Sequence, residues 1–157
     1  MDQSVKIENI SNVEVIPLKI IRDHRGAVMH MMKSSSDGKL DIGEIYFSVV
    51  NKDVVKGWKR HKIIKQNMVV PEGLIRLIIY DDRDQSKTKG SIQIIDFGPE
   101  NYVLVKLPPM VWYSFKSIAD GHSIIANCIS DPHDPGESET LPLETTQIPY
   151  IWNSRVD

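Results

Sequence analysis

The feature that most constrains this chain is a succession of short apolar runs, rich in β-branched residues, separated by turn-forming residues at intervals of roughly 8 to 12 positions. No stretch keeps a 3.6-residue apolar period over three turns, so a core built on helices is excluded. The first run covers residues 13–20 and leads to the turn Asp23-His24-Arg25-Gly26; residues 27–32 follow, then a polar loop at 33–39. Further strands are expected at 44–50, 54–58, 63–70 and 74–80, the last two flanking Pro71-Glu72-Gly73. Residues 91–97 and 102–107 are expected to pair across Gly98-Pro99-Glu100-Asn101, and 111–116 and 123–129 complete the set. Many short strands with turns between them spell an all-β sandwich or barrel of antiparallel strands. From Asp131 the prolines 132, 135 and 142 break the pattern. Residues 131–157 therefore read as an irregular strap, with Tyr150 and Trp152 docking onto the body. At 157 residues the whole chain, 1–157, is the size of one domain.

Charge and cysteine content narrow the function. Nineteen basic against 21 acidic residues leave a net charge of −2, without the basic excess that a duplex-binding protein needs. No apolar run approaches the roughly 20 residues of a membrane-crossing helix. The start, MDQSVKIEN, lacks the apolar stretch of a signal peptide. The single Cys128 excludes an internal disulfide and thiolate zinc sites. The expectation is a cytoplasmic protein with neither nucleic-acid nor membrane partners.

A small β-barrel binds ligands in its mouth, so function depends on the polar side chains that point inward. Alternation places Gly57, Lys59 and His61 on one face and Lys56, Trp58 and Arg60 on the other. The spacing Gly57-x-Lys59-x-His61-x4-Gln66-x6-Gly73, followed by Pro108-x-Met110-x2-Tyr113, resembles the two-part signature of the cupins, G…H-x-H-x4-E-x6-G and P-x-G-x2-H. Of the four metal-ligand positions in that signature only His61 keeps a ligand identity. Lysine, a cation at neutral pH, has no free lone pair to offer a metal, so neither metal nor other cofactor is expected. A metal-dependent cupin dioxygenase or isomerase is the weakest reading.

The resemblance is stronger to the nucleotide-sugar cupins. Asp23-His24-Arg25-Gly26, Val55-Lys56-Gly57-Trp58-Lys59, Asp82-Arg83 with Ser86 and Gly90, Leu107 to Phe115, and Ile148 to Trp152 look like the ordered motifs of dTDP-4-dehydrorhamnose 3,5-epimerases. Gly57-Trp58-Lys59-Arg60-His61-x4-Gln66 is also similar to the G-F-H-A-H-x4-Q of the dTDP-4-keto-6-deoxyglucose 3,4-ketoisomerases, and Tyr46 agrees with that group. The resemblance implies a cupin jelly roll and a homodimer. It also implies epimerisation or ketoisomerisation of a nucleotide-linked 4-keto sugar in deoxysugar or cell-surface polysaccharide biosynthesis. Three departures stand out: Lys59 replaces the epimerases' catalytic His, Gln66 their assisting Lys, and no Tyr lies near Ile124 or Ile125, where their acid falls. A non-catalytic nucleotide-sugar or carbohydrate binder is therefore the alternative.

Chemistry next to a ketone needs a base near neutrality, a proton donor and a cation for the enolate oxygen. His61 is the natural base, Lys59 an electrostatic stabiliser, and Tyr113 a donor from the opposite face. Arg25 and Lys56 are the phosphate candidates that the resemblance implies. Tyr46 and Trp112 would stack on the base or line the sugar pocket, beside Gln66. Asn127, polar within an apolar run, must line the pocket or bond a neighbouring strand. Asp82 and Arg83 read as a structural pair, and His133 as a turn residue.

Overall fold

The computed structural model describes residues 4–34 and 40–153. Twelve strands follow in order: β1 (Glu14–Pro17), β2 (Ile20–Asp23), β3 (Gly26–Met29), β4 (Glu44–Val50), β5 (Val55–His61), β6 (Gln66–Glu72), β7 (Ile75–Tyr80), β8 (Ile92–Phe97), β9 (Val103–Leu107), β10 (Trp112–Ser117), β11 (Ser123–Ile129) and β12 (Ser138–Thr140). The one helical element among the described residues is a 3-10 turn, Pro135–Glu137. Most of the loop expected at 33–39 lies outside the described residues, as does the end of the strap beyond residue 153.

Two five-stranded antiparallel sheets, ordered β1-β9-β6-β11-β4 and β12-β5-β10-β7-β8, face each other as an all-β cupin jelly roll. Their inner faces meet in a core that includes Met68, Val70, Ile75, Leu77, Val105, Phe115 and Ile125. A hairpin of β2 and β3 forms a separate two-stranded sheet that packs Ile20 and Met29 against Val69, Leu104 and Ala126 of the first sheet and leaves Ile21 and Val28 exposed. The strands expected to pair across residues 98–101 do not: β8 bonds β7 in one sheet and β9 bonds β6 and β1 in the other. The chain crosses between sheets at that turn, as it does at Pro71-Glu72-Gly73. Local alternation identifies a strand, but the choice of sheet follows from packing.

The strap is more regular than its prolines suggest. Its β12 extends the second sheet, setting Ser138 opposite His61 and Thr140 opposite Lys59. Beyond it, Ile148, Tyr150 and Trp152 cover an outer cluster around Trp58, Ile78 and Trp112. Trp152 donates its indole N–H to Ser114 Oγ at 2.8 Å.

The pair Asp82–Arg83 is also rearranged. Arg83 bonds Asp81 instead, at 2.8 Å, because Asp81 is the residue that the alternation after β7 turns inward. Asp81 also accepts from Ser86 Oγ and from Thr88 Oγ1, while Arg83 reaches the Ser11 carbonyl and ties the N-terminal segment down. Burial alone would raise the Asp81 carboxyl, but the bonds from Arg83, Ser86 and Thr88 outweigh it and hold the group at about 2. A depressed carboxyl contributes stability above the unfolded value, near 3.8, and loses it as pH falls toward 2. Urea titrations of Asp81→Asn should therefore lose about 2 kcal/mol less than the wild type between pH 5 and pH 2. An identical acid dependence in both proteins would contradict the assignment.

Candidate active site

Between the sheets lies a cavity of about 500 Å³. Lys59, Tyr113 and Phe115 line it from one sheet, Tyr46, Met68, Ile125 and Asn127 from the other, and His133 and Thr140 from the strap. Its position follows from the strand period: on β5 the odd positions 59 and 61 point inward, while Trp58 and Arg60 point into the outer cluster.

Tyr113 is aimed by a local irregularity. The pairing of β10 with β5 shifts register between Tyr113 and Ser114, a β-bulge of the kind that redirects a side chain. Gly57 makes room for it. With φ of +126°, a Cβ there would sit 2.5 Å from Ser114 Cβ, so only glycine lets the two strands approach.

Behind Tyr113 lies a dyad. His61, 3% exposed, places Nδ1 2.6 Å from Glu137 Oε2, and its Nε2 lies 3.3 Å from the Tyr113 hydroxyl. The two rings stack at 6.1 Å between centroids. Glu137 also accepts the backbone N–H groups of Ile63 and Ile64 at 2.8 and 3.0 Å. Burial would raise its carboxyl, but the hydrogen bond from His61 and these two N–H donors hold it down at about 2. A carboxylate there fixes the histidine tautomer with the proton on Nδ1 and leaves Nε2 to accept from Tyr113. Burial lowers the proton affinity of His61 despite Glu137, and burial pushes the Tyr113 phenol far above its ordinary value.

The network continues to the other sheet. Gln66 lies near enough to the Tyr113 phenol to oppose part of that upward shift. Asn127 Nδ2 donates to Gln66 Oε1 and to the Tyr46 hydroxyl, both at 3.0 Å. Burial raises the Tyr46 phenol as well. Two phenols thus approach the cavity from opposite sheets, with the half-buried Lys59 next to Tyr113 in register.

Of the residues singled out in the sequence, Lys59, Tyr113, Tyr46, Gln66 and Asn127 come together with His61. His61 and Tyr113 do not face each other across a ligand, because they are hydrogen-bonded on one side of the cavity. Lys56 stands exposed at the rim, donating to the Val49 carbonyl at 3.0 Å. Trp112 is not in the site. One position from Tyr113, it faces the outer cluster, where its indole bonds Asp82 and Arg60 lies 4.5 Å above its ring. Arg25 is at the exposed tip of the β2–β3 hairpin, paired to Asp23 at 2.6 Å, and does not line the cavity. Glu137 is the residue that sequence reasoning missed, 76 positions from its partner. His133, read as a turn residue, lines the cavity too.

The donor set at the cupin metal positions does not fit a divalent ion. Lys59 is a cation, and the one imidazole has Nδ1 engaged by Glu137 and Nε2 by Tyr113. No protein-family model matches the chain. Among characterised proteins it is 34% identical over 153 residues to the probable low-salt glycan biosynthesis epimerase Agl13 of Haloferax volcanii, covering 94% of this chain and 97% of that one. Among solved structures it is 39% identical to a dTDP sugar isomerase from Desulfovibrio desulfuricans, with a TM-score of 0.87 over 91% of this chain and 92% of that one. The chain belongs to the nucleotide-sugar epimerase and isomerase family of cupins. It is an isomerase-class enzyme by that membership. The 3'-monoepimerase ChmJ of Streptomyces bikiniensis, solved with dTDP-quinovose, shares the fold at 17% identity, with a TM-score of 0.83 over 98% of this chain and 81% of that one.

Proposed function

We propose that this epimerase-family enzyme acts on a nucleotide-linked 4-keto sugar, dTDP-linked by analogy with its solved relatives, and moves a proton on the carbon next to the ketone. The observation that carries the reading is the cavity in which a cation, Lys59, and two phenols, Tyr113 and Tyr46, converge from opposite sheets. The ketone acidifies the neighbouring C–H, Lys59 holds the developing enolate oxygen, and the phenols address the two faces of the sugar. Two-faced proton transfer inverts the carbon, so epimerisation is the leading reaction. Ketoisomerisation is the second reading, supported by the His61-x4-Gln66 spacing. Lys56, exposed at the rim, supplies the cation for the pyrophosphate in this reading.

Incubation with dTDP-, UDP- and GDP-linked 4-keto-6-deoxy sugars, followed by NMR of the products, separates these outcomes. An inverted centre beside an unmoved ketone is expected; a ketone moved to C3 favours the second reading, and unchanged sugars in every case contradict both.

The enzyme works as a homodimer in this reading, in the cytoplasm, where activated sugars are assembled. Among the described residues β4 is an edge strand, and it presents Ile45, Phe47 and Val49 outward, Phe47 at 69% exposure. An unpaired apolar edge of this kind invites association. Among the described residues no helix is long and apolar enough to cross a membrane. Light scattering after gel filtration should give a dimer for the wild type and a monomer for Phe47→Glu. A monomeric wild type would overturn the assignment.

A further inference from the structure

We infer that Tyr113 is the group that meets the substrate C–H, and that His61 and Glu137 act through it as a Glu137–His61–Tyr113 proton relay. The inference rests on the proposed reaction and concerns how this site carries it out. Three observations lead to it. Tyr113 lines the cavity whereas His61 does not, standing behind the phenol at 3% exposure. His61 Nε2, the only nitrogen left free to accept by the Glu137 contact at Nδ1, is directed to the Tyr113 hydroxyl at 3.3 Å. Glu137 is anchored by two backbone N–H groups, so it orients the imidazole rather than following it.

The step balances without any outside reactant. The substrate C–H proton passes to Tyr113 Oη as the phenol's own proton passes to His61 Nε2. The C–H electron pair forms the enolate double bond, and the carbonyl π pair moves onto the oxygen, beside the Lys59 ammonium. His61 becomes an imidazolium stabilised by the Glu137 carboxylate. Run in reverse, the relay returns a proton from Nε2 through Tyr113 to the same face of the carbon, which exchanges it without inversion, or to the enolate oxygen; inversion draws the returning proton from Tyr46 on the opposite sheet. A phenol with so high a proton affinity would be a poor base alone; concerted transfer to His61 means that free phenolate never has to form. Glu137 is thus a positioning residue, and Tyr113 takes the role that the histidine holds in the sequence-based expectation. The charged or titratable groups that face the relay are Lys59 on β5, Tyr46 on β4 and His133 on the strap.

The test follows exchange of the sugar's C–H in D2O for wild type, Tyr113→Phe, His61→Gln, Glu137→Gln and the Tyr113→Phe/His61→Gln pair. Tyr113→Phe and His61→Gln should each lower kcat by roughly 10²–10⁴-fold with KM little changed, and the pair should be no slower than Tyr113→Phe alone. Glu137→Gln, which keeps an acceptor for the Ile63 and Ile64 N–H groups, should lower kcat less and move the acidic limb of its pH profile, where His61 takes up a proton, to lower pH, and Glu137→Asp should restore part of the rate. Exchange that survives in Tyr113→Phe but vanishes in His61→Gln would overturn the relay and make His61 the direct base. A wild type that exchanges no substrate contradicts the proposed reaction instead. The relay is then judged by ¹⁵N NMR of His61. Nδ1–H tautomer signals that shift in both Tyr113→Phe and Glu137→Gln support it, and an Nε2 resonance indifferent to both overturns it.

Discussion

Replacing Lys59 by methionine should lower kcat about 10²–10³-fold while leaving KM close to the wild-type value, the signature of an interaction made only as charge develops. Lys59 is the cation that the cavity offers beside Tyr113, held in register between Tyr113 on β10 and Thr140 on β12. Methionine keeps the length and the apolar stem, so loss of packing contributes little. What disappears is the positive charge next to the enolate oxygen. Steady-state kinetics with a 4-keto sugar nucleotide checks it. A KM effect alone would assign Lys59 to ground-state binding, and an unchanged kcat would remove it from the reaction.

The second large effect is expected at Gly57, and it is structural first. Gly57→Ala places a Cβ 2.5 Å from Ser114 Cβ and 2.8 Å from the Tyr113 carbonyl, on a residue with φ of +126°. Backbone on both sides cannot yield cheaply, and L-residues rarely adopt that conformation. Destabilisation of about 2–4 kcal/mol is expected, from strain plus displacement of β10. Denaturant unfolding measures it. Because the contact lies at the bulge that aims Tyr113, the folded fraction should also have a lowered kcat. A variant as stable and as active as the wild type would show that the bulge does not depend on the glycine.

Both effects trace back to features visible in the sequence to different degrees. Strands β4 and β11 match the expected runs at 44–50 and 123–129 because each is apolar, β-branched and bounded by polar turns. The pairing across residues 98–101 was not legible, since a turn signal does not say whether the chain returns in the same sheet or crosses to the other. Lys59 and His61 were legible as one face of β5 by alternation. The same rule separates Trp112 from Tyr113, and the outer cluster claimed Trp112. Asn127 stood out as a polar residue in an apolar strand, and it does bond both Tyr46 and Gln66. Glu137 carried no such mark. It sits after Pro135 and Gly136 in a segment with no periodicity, and only the tertiary fold brings it to His61. Nor could spacing reveal that His61 stands behind Tyr113, because β5 and β10 meet through long-range pairing.

The central claim, that this site moves a proton next to a sugar ketone, is tested most directly by deuterium wash-in. The wild-type enzyme is incubated in D2O with a dTDP-linked 4-keto-6-deoxy sugar, and the sugar is read by NMR and mass spectrometry. Deuterium at a carbon flanking the ketone, at C3 or C5 and absent without enzyme, is the predicted result. A sugar nucleotide that binds in the cavity, yet keeps every carbon-bound proton whichever nucleotide it carries, would contradict it.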